Sequence, residues 1–124
     1  MASNPDFVIT LSFNKNSEGR VTLAFTLGVA AVDKGLKTTI VLLVDGVHIA
    51  RKGYADDIDI GEPFLPVKDL LEVYLEHGGE IAVCGSCWRF NHIADDERMQ
   101  QVKMITAGDV VDLLMNARSS VQLN

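Results

Sequence analysis

The chain has 124 residues, of which 48% are hydrophobic and 23% are charged, and its formal net charge is −6. This length supplies one hydrophobic core and is too short for two, so residues 1–124 are predicted to form a single domain with a frayed tail at residues 1–5. The composition is that of a globular chain rather than a disordered one. The acidic charge and the lack of any Lys/Arg cluster argue against a nucleic acid partner.

No apolar run approaches the length of a membrane span, and residues 1–6 lack the basic and apolar regions of a secretion signal. The chain is therefore expected to be cytoplasmic, with no membrane partner. It contains two cysteines, Cys84 and Cys87. In a reducing compartment such a close pair is more often reactive or metal-binding than a structural disulfide.

The first part of the chain predicts a strand followed by a long helix. Residues 7–13 are rich in apolar side chains and predict the strand. Ser17 is a suitable N-cap for a helix over residues 19–34, and Gly35 is expected to end it as a C′ glycine. Apolar residues recur at helical spacing along it: Val21, Ala24, Phe25, Gly28, Val29 and Val32.

The next segment contains the clearest strand of the sequence. Residues 38–44 form a continuous apolar run without alternation, which is typical of a parallel strand that is covered on both faces. Asp45-Gly46 closes it, and a short helix is predicted over residues 47–52. Residues 53–66 are acidic and aperiodic, and their length in so small a domain suggests a lid or a subunit-contact loop.

Three further helices, one of them short, and three further strands are predicted after this loop. Pro66 suits the first turn of the first helix, and Gly78-Gly79 ends that helix before a buried strand at residues 81–83. The apolar face of this helix consists of Val67, Leu70, Leu71, Tyr74 and Leu75.

The last third of the chain contains a polar segment, residues 91–101, that suggests another short helix, and a brief strand at residues 104–105. Thr106 and Asp109 resemble a capping box for a helix over residues 107–117, with an edge strand at residues 120–123. The inner face of that helix is expected to carry Val110, Val111 and Leu114. Strands that alternate with helices predict an α/β fold in which a mostly parallel sheet has helices on both faces, joined by right-handed crossovers.

The chemistry-bearing residues are concentrated after the strand at residues 81–83. That strand leads into Cys84-Gly85-Ser86-Cys87, and the only tryptophan, Trp88, comes next. Open α/β sheets bind their ligands at the carboxyl ends of the strands, so the cysteine pair is predicted to lie at a functional edge of the sheet.

Three features of the sequence resemble the DsrE/DsrF-like family of sulfur-relay proteins, including its small YchN-like members. The first is a strand that leads into a long Ala/Leu-rich helix, and the second is the Asp45-Gly46-Val47 turn after the second strand. The third is the run from Gly78 to Cys87, which is similar to the family's "GGxIxxCGxC" segment. The similarity extends over most of the chain.

The resemblance implies a three-layer, flavodoxin-like fold with a five-stranded sheet and a homo-oligomer, either a trimer or a hexamer. It also implies that Cys84 carries sulfur as a persulfide and exchanges it with sulfur donor and acceptor proteins. The expected activity is that of a carrier more than of a turnover enzyme. No cofactor is predicted, because the first strand–helix turn, at residues 13–19, lacks the glycine spacing of a phosphate-binding loop.

Several neighbours of Cys84 are candidates for assisting a thiolate. Gly85 and Ser86 offer backbone N–H groups and a hydroxyl, Arg89 offers a positive charge, and His48 could act as a base or a donor. Trp88 is expected either to form a wall of the thiol pocket or to fill a subunit interface, and the interface is the commoner role.

Alternative interpretations remain open for the cysteine pair. Cys87 could resolve an oxidised Cys84 by forming a disulfide, or it could be a bystander. A C-x-x-C thiol–disulfide redox protein is one competing hypothesis, although no proline follows the motif as such a fold would need. A metal site built from Cys84, Cys87 and His92 supplies three ligands where structural zinc uses four. A non-catalytic oligomeric binding module is the remaining alternative.

Overall fold

The computed structural model describes residues 4–124, which form a five-stranded, fully parallel sheet in the order β4-β3-β2-β1-β5. The strands are β1 (Phe7–Leu11), β2 (Thr38–Leu42), β3 (Glu80–Cys84), β4 (Lys103–Ile105) and β5 (Ser119–Leu123). The α-helices are α1 (Glu18–Asp33), α2 (Val67–Glu76), α3 (Gly85–Phe90) and α4 (Ala107–Asn116). Short 3₁₀ helices occupy Lys15–Ser17, Val44–Ala50, Tyr54–Asp57 and Asp95–Glu97.

The strand order determines which face of the sheet each helix covers. From β1 to β4 the chain moves in one direction across the sheet, whereas the step from β4 to β5 returns past β1. Because parallel crossovers are right-handed, α1 and α2 lie on one face and α4 lies on the other. The predicted α/β fold with a parallel sheet and helices on both faces is therefore confirmed.

The strand register aligns the main hydrophobic core in rows across the sheet. Ile9 is level with Ile40, which is level with Ile81, and all three are buried in the cluster that α1 and α2 cover. The next positions along β1 and β2, Thr10 and Val41, are also buried but face the opposite side. Both faces of the central strands are thus covered, which explains why β2 has no alternation in its sequence.

Helix α1 confirms most of the expected pattern but begins differently. Ser17 holds the N-cap position, but its side chain accepts no hydrogen bond from the helix backbone; instead its hydroxyl accepts from the Arg20 guanidinium at 3.1 Å. A 3₁₀ turn at Lys15–Ser17 leads directly into the helix. At the other end Gly35 has φ = 80°, as expected for a C′ glycine.

Helix α2 is fixed by a buried tyrosine rather than by a cap. Pro66 precedes the first turn as the N-cap residue instead of lying within that turn. The Tyr74 hydroxyl donates to the backbone, with the Thr38 and Glu80 carbonyl oxygens at 3.1 and 2.7 Å, and burial raises the pKa of this phenol. A Cβ on Gly79 would collide with the Tyr74 ring, so this glycine allows the close packing of the tyrosine.

Helix α4 has the predicted capping box but a different exposed face. The Thr106 hydroxyl accepts from the Asp109 amide at 3.1 Å, and the Asp109 carboxylate accepts from the Thr106 amide at 3.0 Å. The placement of Val111 on the inner face is wrong, because that side chain is 58% exposed while Val110 and Leu114 are half-buried. One of the three expected inner positions of α4 therefore lies in solvent.

The connecting segments differ from the predictions in detail. The helix predicted at residues 47–52 is the longer 3₁₀ helix Val44–Ala50, and the polar segment at residues 91–101 contains only the 3₁₀ turn Asp95–Glu97. The aperiodic segment 53–66 is anchored to the core by the buried Ala55 and Ile58.

Of the predicted tail, residues 1–3 lie outside the described residues, whereas Pro5 is buried. Within residues 4–124 no helix is long and apolar enough to cross a membrane.

Candidate functional site

The site is organised around Cys84, which is both the last residue of β3 and the N-cap of α3. Its sulfur accepts a hydrogen bond from the backbone N–H of Cys87 at 3.4 Å. The residue is 8% exposed, and both cysteines are free thiols. An N–H group directed at the sulfur suits a sulfur atom that carries negative charge. The structure thus places Cys84 at the carboxyl edge of the sheet, as predicted for a ligand site in an open α/β fold.

Cys87 is half-buried on the first turn of α3 and differs from Cys84 in its surroundings. Burial raises the pKa of the Cys87 thiol, and a hydrogen bond with the Cys84 side chain raises it further. A hydrogen bond with the Val44 backbone acts in the opposite direction but is smaller. Cys87 is therefore held in its protonated form at neutral pH, where it can donate its S–H to Cys84.

We expect Cys87 to be alkylated with a midpoint at higher pH than an unperturbed cysteine, whose pKa is about 8.5. The midpoint should fall in a Cys84→Ala variant, because that change removes the side-chain hydrogen bond and leaves only burial to raise the pKa. The measurement is the rate of iodoacetamide labelling of the Cys87 peptide by mass spectrometry between about pH 7 and 10. A wild-type midpoint below that of a model thiol, or one that Cys84→Ala leaves unchanged, would contradict this assignment.

Val44, directly beyond β2, has an unusual backbone conformation next to the thiols. Its φ of 52° lies in the left-handed region, which is strongly disfavoured for a β-branched side chain, and the residue is 56% exposed. Such a conformation persists only where neighbouring groups enforce it. Two residues later the chain packs closely on β1, since a Cβ added to Gly46 would overlap the Leu11 carbonyl oxygen and lie 3.1 Å from the carbonyl carbon.

His48 lies near the thiols but is used by other partners. Its Nε2 atom is 3.1 Å from the Asn91 Oδ1 atom, and its Nδ1 atom is 3.3 Å from the Arg51 guanidinium. The ring also packs at 5.6 Å from the Tyr54 ring. The structure therefore assigns both ring nitrogens to Asn91 and Arg51 rather than to the Cys84 sulfur.

The remaining predicted site residues fall into buried and exposed groups. Gly85 is buried, and a Cβ there would lie 3.2 Å from the Met104 side chain, so this glycine allows α3 to approach β4. Ser86 and Arg89 are exposed, and within residues 4–124 Arg89 has no ion-pair partner. Trp88 is 0% exposed and belongs to the main core, so it is neither a pocket wall nor an interface residue in this chain.

Sequence reasoning missed Asn91, which links the elements of the site. Its side-chain amide donates to the Cys87 carbonyl oxygen at 2.8 Å and to the Val44 carbonyl oxygen at 3.3 Å. The available signal was its position four residues after Cys87, which places the two residues on one side of a helix.

Charged residues beside this site are paired with one another. Arg51 contacts the Glu97 carboxylate at 2.9 Å, and Lys15 contacts Asp57 at the same distance. The cations of Lys15 and Arg51 lie over the Tyr54 ring at 4.4 and 5.2 Å from its centroid. No group of three or more His, Cys, Asp or Glu side chains within residues 4–124 is arranged to hold a metal ion, so His92 does not complete a metal site with the cysteines.

A separate cavity of about 160 Å³ lies between α4 and the strands beneath it. Its lining combines apolar residues such as Ala82, Ile105 and Leu113 with charged residues such as Lys103 and Asp112. Neither cysteine lines it, so it is not part of the thiol site.

Comparison with known proteins gives consistent results for family and fold. The model of the DsrE/DsrF-like family matches residues 7–123. An uncharacterised protein of Methanopyrus kandleri is 27% identical over 107 residues, which cover 85% of this chain and 84% of that protein.

Solved structures share the fold at low sequence identity. The ychN protein of E. coli superposes with a TM-score of 0.77 at 17% identity and covers 95% of this chain and 98% of its own. A protein of unknown function from Methanobacterium thermoautotrophicum superposes with a TM-score of 0.68 at 16% identity, covering 94% of this chain and 96% of its own. These structures indicate the same parallel α/β fold.

Proposed function

Because the chain belongs to the DsrE/DsrF-like family, we propose that it is a sulfur carrier that holds sulfur as a persulfide on Cys84. The single observation that supports this most strongly is the position of the Cys84 sulfur. It lies at the carboxyl end of a central parallel strand and accepts the Cys87 amide N–H at 3.4 Å. Family membership makes sulfur handling the expected chemistry, and this geometry indicates which atom takes part.

Loading is a transfer of one sulfur atom between thiols. The Cys84 thiolate attacks the outer sulfur of a donor persulfide, the donor S–S bond breaks, and the donor leaves as a thiolate while the new S–S bond forms on Cys84. No external oxidant or reductant is needed, because the oxidation level of the transferred sulfur is unchanged. The raised pKa of the Cys87 thiol lowers its thiolate fraction at neutral pH and therefore its reactivity toward the donor.

The proposed carrier acts in the cytoplasm as a homo-oligomer, either a trimer or a hexamer, and exchanges sulfur with donor and acceptor proteins. Exposed apolar side chains are consistent with such contacts. On α4 Val111 and Met115 are largely exposed, and Phe90, three residues after Cys87, is 83% exposed. Phe90 and Arg89, which has no ion-pair partner within residues 4–124, are therefore candidate contacts for a protein that approaches the thiols.

The test is the intact mass of the protein after incubation with a small-molecule persulfide donor. We expect wild type to gain the mass of one sulfur atom and Cys84→Ala to gain none, because the nucleophile is absent. Cys87→Ala is the matched control, since it removes the other thiol and should still be loaded. Equal mass gain by wild type and Cys84→Ala would exclude the carrier role of Cys84.

A non-catalytic oligomeric binding module is the second candidate, and the exposed apolar side chains of α4 favour it. It predicts self-association without sulfur loading in the same mass experiment. The thiol–disulfide redox alternative predicts instead that the protein reduces insulin disulfides through a Cys84–Cys87 bond. Inactivity in that assay would exclude it.

A further inference from the structure

Both polar atoms of the Asn91 side-chain amide have hydrogen-bond partners beside the thiols. Its two N–H groups point to the carbonyl oxygens of Cys87 and Val44, at 2.8 and 3.3 Å, and its Oδ1 atom lies 3.1 Å from His48 Nε2. The reverse orientation would place an oxygen against two carbonyl oxygens. The amide orientation is therefore defined by its partners.

This orientation also defines the tautomer of His48. Because Asn91 Oδ1 can only accept, His48 Nε2 must carry the proton and donate it. The Nδ1 atom is then an acceptor, which matches the Arg51 guanidinium at 3.3 Å. Arg51 is in turn held by Glu97 at 2.9 Å, so a continuous chain of polar contacts runs from Glu97 to Asn91.

The two carbonyl groups that Asn91 holds belong to different elements of the site. One is in α3, which carries Cys87, and the other is Val44, whose left-handed conformation requires an external constraint. A single side chain thus ties the thiol-bearing helix to the turn after β2. Without it, both the turn and the end of the helix lose a partner that fixes their separation.

We propose that Asn91 is a positioning residue that holds the Cys87 thiol within reach of the Cys84 sulfur. This inference rests on the proposed function in assigning both thiols to one site. In the sulfur-releasing step, which is slower than loading because Cys87 must first lose its proton to solvent, Cys87 attacks the inner sulfur of the Cys84 persulfide. The Cys84–Cys87 disulfide forms, the persulfide S–S bond breaks and hydrosulfide leaves. The two protein thiols are oxidised and the carried sulfur is reduced to sulfide.

The test measures how strongly the protein favours the Cys84–Cys87 disulfide in mixtures of reduced and oxidised glutathione, with the thiols trapped by alkylation and counted by mass. In Asn91→Ala the equilibrium constant for the disulfide should fall about tenfold, equivalent to a rise in reduction potential of about 30 mV. Asn91→Asp should behave in the same way, because a carboxylate keeps the acceptor for His48 but has no N–H groups for the two carbonyls.

The chain offers a matched control in Asn116. Its side-chain amide donates to the Asp112 carbonyl oxygen at 2.8 Å, four residues earlier, as that of Asn91 does to Cys87, but it lies at the end of α4. Asn116→Ala therefore removes an equivalent helix-end hydrogen bond and should leave the thiol equilibrium unchanged. Thermal unfolding of all variants measures the structural effect separately from the thiol effect.

Three results would overturn the inference: an unchanged equilibrium in Asn91→Ala, an equal shift in Asn116→Ala, or wild-type behaviour in Asn91→Asp. A wild-type protein that forms no Cys84–Cys87 disulfide would also overturn it. The experiment needs no persulfide donor, so it is independent of the loading test. Failure of Cys84 to accept sulfur would refute the carrier proposal while leaving the positioning role of Asn91 to be decided by this equilibrium.

Discussion

Replacing Gly46 with alanine is expected to destabilise the protein by about 3 kcal/mol, a large effect for one methyl group. The added Cβ would overlap the Leu11 carbonyl oxygen and lie 3.1 Å from the carbonyl carbon and 3.4 Å from the Phe13 amide nitrogen. All three atoms belong to the backbone at the end of β1, so no flexible side chain can move aside. The 3₁₀ helix Val44–Ala50 would have to shift away from the sheet.

The measurement is urea unfolding, with Gly19→Ala as the control. Gly19 lies in α1, and a Cβ there would meet nothing within 4 Å. The same substitution at that position should stabilise the protein by about 0.5–1 kcal/mol, because alanine is the better helix former. Similar unfolding midpoints for the two variants would show that the close approach of Gly46 to β1 does not determine stability.

The Gly46→Ala substitution is also expected to affect the thiol site, because the 3₁₀ helix Val44–Ala50 contains two residues that contact Asn91. Val44 and His48 both belong to it, and both are partners of Asn91. A shift of this helix would separate them from the end of α3. Gly46→Ala protein that remains folded should therefore also lose part of its tendency to form the Cys84–Cys87 disulfide.

The fold was predictable because its long elements have strong local signals. The uninterrupted apolar run of β2 required cover on both faces, and α1 and α2 on one face and α4 on the other provide it. The capping box of Thr106 and Asp109 needs only local geometry, so it too could be recognised from sequence. Periodicity and caps depend on neighbours in the chain, which a sequence displays directly.

The errors concern features that depend on distant parts of the chain. Helix α3 has six residues, too few for a periodic signal, and it begins with Gly85, a poor helix former. Val111 is apolar and correctly spaced, yet it is 58% exposed, because the packing of α4 on the sheet and not the helical spacing alone decides which positions are buried. The spacing of Asn91 from Cys87 was a local signal, but its contacts with His48 and Val44 join residues 43 and 47 positions apart, so no local pattern could predict those two.

Replacing Trp88 with alanine is expected to destabilise the protein by about 3–5 kcal/mol, because the indole is fully buried in the main core. Trp88→Phe should cost considerably less. The smaller ring leaves a cavity, but the substitution also removes the Trp88 Nε1–H group, which is buried without a hydrogen-bond partner in residues 4–124. Far-UV circular dichroism in urea is the suitable measurement, since both variants lack the only tryptophan fluorophore.

Phe90 provides the control for the Trp88 series. It is an aromatic residue of the same helix, but it is 83% exposed, so Phe90→Ala should change the free energy of unfolding by less than about 0.5 kcal/mol. Equal destabilisation by Trp88→Ala and Trp88→Phe would show that the ring retained in the phenylalanine variant does not contribute to stability, because both variants lack the buried Nε1–H group. Because Trp88 lies between Cys87 and Arg89 on α3, its anchoring in the core determines which side of that helix presents the thiol. The position of the cysteine motif therefore depends on a buried aromatic residue that has no role in the proposed sulfur transfer.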